Sequence, residues 1–289
     1  LINAISEAVA ETDEELFEKY FSGEQFTAEE ILSGIKKGVK AGTITPVVCC
    51  SAFTLAGVDM VLDMICELMP SPKEADDEIC MDSDGNPVEL ICADDQPLAA
   101  FVFKTIADPF VGKMSYVKVL SGKLTADQIP VNTTTGQPER LGKIIFVKGK
   151  KQEDTPQIGA GDIGAVTKLA GTNTGDMLCD PSRPLKCEPM EFPAPCLSIA
   201  FKPKAKGDEG KIAQALQRLM EEDRTIAYEN NVETKQQIVT GLGEQHLDVL
   251  VSKMKAKFGV DIVMENPRVP YRETIRAMAE AEGKSTGKT

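Results

Sequence analysis

Histidines, paired cysteines and long apolar runs are scarce in this sequence. His246 is the only histidine, and the eight cysteines include no CxxC pair, so we expect no metal site. No run of about 18 uncharged apolar residues occurs, and this excludes a membrane-spanning helix. Residues 1–4 show neither an initiator methionine nor the basic flank of a signal peptide. We therefore expect a start inside a longer protein.

The signatures of nucleoside triphosphate binding are also missing. Gly283–Thr286 resembles the end of a P-loop, but no strand precedes it and the chain leaves no room for a helix after it. Asp82–Gly85 is the only Asp-x-x-Gly and lies in an acidic, turn-rich stretch, so we interpret it as a plain turn. No Asn-Lys-x-Asp occurs. We therefore expect no catalytic residue here.

The cysteines do not form a disulfide pattern. Cys49 and Cys50 are adjacent, the others are scattered, and several lie in apolar runs such as Met64–Cys66. This distribution predicts buried thiols in a reducing compartment.

Charge divides the chain unevenly. Residues 1–95 carry 21 acidic and 5 basic residues, whereas residues 96–289 carry 24 and 27. The acidic part should repel nucleic acid, and the remainder could approach RNA locally. A merely solvated acidic face is the alternative.

Residues 1–95 alternate helical and strand-like patterns. Apolar spacing predicts helical structure over 1–21 and a helix over 58–68, and Thr27 with Glu30 forms a capping box before a helix that ends near Gly42. Residues 46–50 form a short apolar run, which predicts a buried strand. This order is typical of an α/β domain. Residues 73–97 read as a linker with one small hairpin.

The rest of the chain changes character twice. Four β-rich runs separated by turn residues predict an antiparallel barrel or sandwich; they cover 98–105, 114–120, 140–146 and 163–169. Residues 196–267 follow the order βαββαβ of a ferredoxin-like α+β sandwich. In this unit the carboxylates of residues 221–223 close an amphipathic helix and are expected to be solvated.

Three places could contact a ligand or partner. Ser51 and Ala52 follow the predicted buried strand, where a backbone N–H could donate to the O6 of guanine; an ordinary strand end without a ligand is the alternative. Lysines 148, 150 and 151 lie close together in one predicted hairpin, where they could contact RNA phosphates or could merely solvate the hairpin. His246 opens the second helix of the βαββαβ unit, where a structural role or a surface contact is open.

The order of several motifs resembles the elongation factor G family of translational GTPases. The matching segments are Ile44–Phe53, Leu68–Pro72, Pro97–Lys104, Asp108–Lys113, Val119–Gly122, Asn132–Thr134, Gly159–Ile163, Thr174–Asp176, Leu219–Asp223, Gly241–Leu247 and Pro270–Ile275. The resemblance implies four parts, namely the end of a P-loop-type GTPase domain with a helical insertion over 1–95, a translation-factor β-barrel as domain II over 96–190, domain III over 191–268, and the start of domain IV over 269–289.

The resemblance also implies a function. The parent protein would be a cytoplasmic factor that binds GTP with Mg²⁺, binds ribosomal RNA and proteins, and drives translocation of tRNA and mRNA. Ser51 and Ala52 would contact guanine, and no membrane or DNA would be a partner. This fragment alone is expected to bind neither GTP nor Mg²⁺.

Two departures keep alternatives open. Gln245 stands where family members commonly have leucine, and the polar tail after Lys284 diverges from the fourth domain. A paralogous ribosome factor that protects or recycles ribosomes is therefore one alternative. A standalone RNA- or protein-binding module is the other.

Overall fold

The computed structural model describes residues 2–108, 111–278 and 280–283, which divide into two compact units. The first unit comprises Leu1–Lys104 and Met114–Pro189, and the second comprises Thr105–Lys113 and Met190–Thr289. Pro109 and Phe110 of one family motif, and the P-loop-like tail from Lys284 onward, lie outside the described residues.

Four helices open the first unit. They are α1 (Ile2–Ala10), α2 (Glu14–Phe21), α3 (Ala28–Ala41) and α4 (Val58–Leu68). The predicted capping box begins α3, because Thr27 Oγ1 accepts the Glu30 N–H at 3.2 Å and Glu30 Oε2 accepts the Thr27 N–H at 2.7 Å. Gly42 ends the same helix in the left-handed conformation, as its position predicts.

The predicted buried strand over residues 46–50 is wrong. These residues form no strand, and Val47 is 85% exposed. A parallel-type strand needs hydrogen-bonded neighbours and helices on both faces, and none pairs with this run among the described residues. The apolar side of α4 also lacks a covering neighbour among the described residues, and its residues Leu62 and Ile65 are exposed.

A hairpin follows α4 within the predicted linker. It consists of β1 (Glu78–Met81) and β2 (Pro87–Leu90), paired antiparallel across a turn built on Asp82. Its inward side chains, Cys80 and Leu90, join an apolar cluster with residues of the β domain that follows.

The predicted antiparallel β domain is present. Its strands are β3 (Ala99–Asp108), β4 (Gly112–Ser121), β5 (Leu124–Thr125), β6 (Val131–Asn132), β7 (Gln137–Pro138), β8 (Ile144–Lys148), β9 (Lys151–Asp154), β10 (Gln157–Ile158), β11 (Ile163–Thr167) and β12 (Met177–Cys179). The main sheet runs β7-β6-β12-β3-β4-β11-β8-β9, and β5 pairs with β10. Both sheets contribute to one core, in which Leu124 of β5 and Ile158 of β10 are fully buried.

The second unit has the predicted βαββαβ order. Its elements are β13 (Leu197–Pro203), α5 (Glu209–Glu222), β14 (Ala227–Asn231), β15 (Gln236–Gly241), α6 (Glu244–Phe258) and β16 (Ile262–Glu265). The antiparallel sheet runs β14-β15-β13-β16, so the first strand of the unit lies between the third and the fourth. Apolar residues of α5 and α6 cover one face of the sheet, which makes this a ferredoxin-like sandwich.

The prediction of buried thiols is wrong for most cysteines. The structure joins Cys80 to Cys187, because the antiparallel bridge between Met81 and Lys186 places the two cysteines opposite one another. The exposed cysteines are Cys49, Cys50, Cys66 and Cys196. No helix within the described residues is long and apolar enough to cross a membrane.

Candidate functional site

The loop that holds Ser51 and Ala52 is a compact turn before α4. The Ser51 N–H donates to the Ala56 oxygen at 2.9 Å, and Ser51 Oγ accepts the Thr54 N–H at 3.3 Å. Gly57 closes the turn with φ of 75°, and a Cβ there would lie 3.0 Å from the Cys49 oxygen. Glycine therefore satisfies both the backbone conformation and the close approach.

Ala52 is exposed, as are the other turn residues 53–56. Its N–H makes no hydrogen bond with any part of the chain that the structure describes. An unpaired exposed donor can serve a carbonyl acceptor on a ligand, so the geometry fits the predicted contact with guanine O6. Phe53 beside it is 97% exposed and offers an apolar neighbour.

The three predicted lysines lie together at the tip of the β8–β9 hairpin. Lys148 and Lys151 face each other across the ladder, and Lys150 occupies the turn between them. Glu153 accepts from Lys148 Nζ at 3.2 Å and from Lys151 Nζ at 2.7 Å. The hydrogen bonds from Lys151 and then Lys148 lower the pKa of Glu153. The carboxylate therefore offsets part of the positive charge.

Lys150 keeps its charge uncompensated. It is exposed, and no carboxylate pairs with it among residues 2–108, 111–278 and 280–283. The hairpin thus presents one unpaired and two paired ammonium groups at a solvent-exposed tip. Ammonium groups at such a tip can bind phosphate oxygens. The exposed ion pairs of Lys148 and Lys151 with Glu153 contribute little to the stability of the fold.

His246 lies in the second unit, where it connects three segments. Its Nδ1 accepts the Leu242 N–H at 3.0 Å, and its Nε2 lies 3.0 Å from Asp223 Oδ2. Nδ1 can accept only without a proton, so the ring proton is assigned to Nε2 and is donated to Asp223. The side chain is 19% exposed, which leaves little surface for a partner.

Asp223 is held by more than the histidine. Its Oδ1 accepts from Thr225 N at 2.9 Å and from Thr225 Oγ1 at 2.6 Å. Partial burial raises the pKa of Asp223, but the Thr225 and His246 hydrogen bonds outweigh it, and the net pKa is lowered. Asp223 is therefore a charged acceptor at the end of α5.

The expectation that residues 221–223 form a solvated carboxylate cluster is wrong for two of the three. Besides Asp223, Glu222 accepts from Lys253 Nζ at 2.9 Å and Lys257 Nζ at 2.8 Å, and its side chain is only 12% exposed. Lysines four residues apart on α6 share one helix face and therefore reach the same carboxylate. That spacing was visible in the sequence, but the contact between α5 and α6 was not.

The predicted site residues lie on separate elements of the fold. The Ser51–Ala52 turn and the lysine hairpin lie on different elements of the first unit, and His246 lies in the second. Within the described ranges, no group of three or more His, Cys, Asp or Glu side chains is placed to hold a metal ion.

Comparison with known proteins gives two family matches along the chain. The family profile described as elongation factor G domain 2 matches residues 97–181, and the profile described as Elongation Factor G, domain III, matches residues 192–266. A protein from Thermus thermophilus whose crystal structure is known has 31% sequence identity to this chain, and the two structures align with a TM-score of 0.73. That match covers 92% of this chain and 38% of the Thermus chain, so the present chain spans well under half the length of this relative.

Proposed function

Because this chain belongs to the elongation factor G family, we propose that it forms part of a ribosome-associated GTPase that promotes translocation of tRNA and mRNA. The observation that carries the proposal is the succession of two family domains in one chain, domain II over 97–181 and then domain III over 192–266. Either fold alone serves many functions, whereas the ordered pair is typical of translation factors.

The nucleotide in this proposal is GTP, bound with Mg²⁺ in the complete cytoplasmic protein. The turn at Ser51 and Ala52 would hold the guanine base, and the free Ala52 N–H supports this role. Mg²⁺ would neutralise phosphate charge during hydrolysis. The 289 residues contain no P-loop to hold the phosphates, so this chain supplies base recognition only.

The partner in this proposal is the ribosome, contacted through RNA and protein. The exposed tip with Lys148, Lys150 and Lys151 supports a phosphate contact in the first unit. His246 supports a contact less well, because both of its ring nitrogens are already engaged within the second unit.

The test uses the product of the complete reading frame in a reconstituted translation system that lacks elongation factor G. Movement of the ribosome by one codon, followed by toeprinting and dependent on GTP, is the expected result. Relief of an antibiotic block, or splitting of subunits, without codon movement would instead establish a protecting or recycling factor. If the reading frame encodes no GTPase domain and its product does not bind ribosomes, the protein is a standalone binding module and the proposal is refuted.

A further inference from the structure

Cys80 and Cys187 lie opposite each other between the β1–β2 hairpin and the segment after β12. The neighbouring residues Met81 and Lys186 exchange both backbone hydrogen bonds, at 2.7 Å and 2.8 Å. The next pair outward in such a ladder is not hydrogen-bonded, and its Cα atoms approach to about 4.5 Å. Cys80 and Cys187 occupy that position, with a Cα–Cα distance of 4.2 Å, and the structure joins their sulfur atoms.

The two sulfurs differ in their access to solvent. Cys80 is 1% exposed within the apolar cluster, whereas Cys187 is half-buried at its edge. An external reagent would therefore reach Cys187 first.

A third cysteine, Cys179, lies in the same cluster but does not compete with Cys187 for an external reagent. Cys179 is buried, and its thiol lies 3.6 Å from the Leu185 oxygen. Burial raises the pKa of the Cys179 thiol to about 11, so this group is not a nucleophile near neutral pH.

The hairpin has few other attachments to the β domain. Besides the bridge at Met81, Glu78 pairs with Lys118 at 3.3 Å, and both side chains are exposed. Exposed ion pairs contribute little. Leu90, which is buried, and Val88, which is partly buried, add apolar contacts to the same cluster. A covalent link at this point would therefore decide how firmly the hairpin stays in place.

We propose that Cys80 and Cys187 are a reversible disulfide site, oxidised by small-molecule disulfides of the glutathione type, that fastens the β1–β2 hairpin to the β domain. No step of the proposed translation function uses these two residues. The bond spans a sequence separation of 107 residues and encloses the whole β domain. It thereby restricts the unfolded chain, and it suppresses opening of the hairpin in the folded one.

Oxidation of the two cysteine thiols to a disulfide consumes one equivalent of an external disulfide, RSSR. The Cys187 thiolate attacks the external disulfide RSSR, forms a mixed disulfide, and releases one thiolate that is protonated to RSH. Cys80, after losing its proton, attacks the Cys187 sulfur and releases the second RSH. Two cysteine thiols and one RSSR thus give one internal disulfide and two RSH, and excess RSH reverses the reaction.

The experiment incubates the 289-residue chain in glutathione buffers of increasing oxidised fraction, blocks free thiols, and maps linked peptides by mass spectrometry. We expect one linked peptide pair, containing Cys80 and Cys187, while the exposed Cys49, Cys50, Cys66 and Cys196 form no internal link. Cys187→Ser should abolish the link, and the matched control Cys179→Ser should keep it. A link through Cys179, or no preference over the exposed cysteines, would overturn the assignment.

Two further measurements test whether the disulfide holds the β1–β2 hairpin on the β domain. The oxidised chain should melt roughly 5–10 °C above the reduced chain, and this difference should vanish in Cys187→Ser. Amide exchange of residues 78–90 should slow on oxidation and return with excess reduced glutathione. If the link forms while melting and exchange are unchanged, the hairpin is held by its noncovalent contacts and the fastening role is refuted.

Discussion

His246 donates its Nε2 hydrogen to the Asp223 carboxylate across 3.0 Å, and this bond joins the first turn of α6 to the residue that ends α5. The other ring nitrogen accepts the Leu242 N–H, so the same side chain also fixes the loop before α6. A residue with both nitrogens engaged acts first as an internal link. The proposed ribosome contact is a separate claim, and one variant can distinguish the two.

We predict that His246→Ala lowers the free energy of unfolding of the second unit by about 1–3 kcal/mol, because Asp223 and the Leu242 N–H both lose a partner. Urea denaturation measures the change. Gln245→Ala is the control, since this neighbour on the same turn makes no side-chain hydrogen bond in the described structure. Weaker ribosome binding with unchanged stability would instead identify His246 as a contact residue.

Glu222 makes the stability of the second unit depend on pH. Burial raises its pKa, but hydrogen bonds from Lys257 and Lys253 outweigh burial and leave the pKa below its ordinary value of 4.5. A carboxylate with a lowered folded pKa contributes stability that is complete above its ordinary pKa and is lost as the pH falls through the folded pKa. We therefore predict that stability declines as the pH drops below about 4.5.

Glu222→Gln should remove much of that decline and cost about 1–3 kcal/mol at pH 7, since two charged hydrogen bonds are weakened. Denaturant midpoints between pH 3 and pH 7 provide the measurement. Glu221→Gln, one residue away and without an ion pair among the described residues, should leave the profile unchanged. Equal slopes in the two variants would show that other carboxylates control acid unfolding.

The elements that sequence patterns predicted best carry their own local signals. Apolar spacing placed α4 at Val58–Leu68, with the bounds that the structure has, and the capping box of Thr27 and Glu30 placed the start of α3. The two-residue strands β5, β6, β7 and β10 were missed, because so short a strand has no periodicity of its own. Only distant pairing defines them.

The failures share one physical cause, which is dependence on distant partners. Residues 46–50 have the composition of a buried strand, yet a strand exists only where another strand pairs with it. Glu222 looked solvated because its lysines lie 31 and 35 residues away. Ser51 and Ala52 were expected to follow a buried strand that does not form, and no pattern in the sequence shows that Ser51 Oγ accepts the Thr54 N–H.

The same reasoning makes residues 46–50 a test of local stability. We predict that their amide hydrogens exchange at rates near those of an unfolded peptide, whereas β4 and β11 stay protected within the sheet core. Hydrogen exchange with mass spectrometry on the monomeric chain makes the comparison. Protection of 46–50 equal to that of β4 would show a pairing that the structure lacks.

We also predict no GTP turnover by the 289-residue chain. Phosphoryl transfer depends on positioning the phosphates and Mg²⁺, and the sequence contains no P-loop to do so. Phosphate release with GTP and Mg²⁺ should match a protein-free blank. Turnover that rises in proportion to chain concentration and survives a second purification would contradict the prediction.

Two substitutions in the lysine hairpin should change ribosome binding in opposite directions. Lys150→Glu should weaken binding of the chain to ribosomes and reduce the salt slope by about 1, because one unpaired cation is lost from the RNA contact. Glu153→Gln should strengthen binding, since the carboxylate that pairs with Lys148 and Lys151 loses its charge. Co-sedimentation at several salt concentrations measures both effects. Lys123→Glu, the same charge change outside the hairpin, is the control. If Lys150→Glu and Lys123→Glu weaken binding equally, only net charge matters and the hairpin is not a contact site.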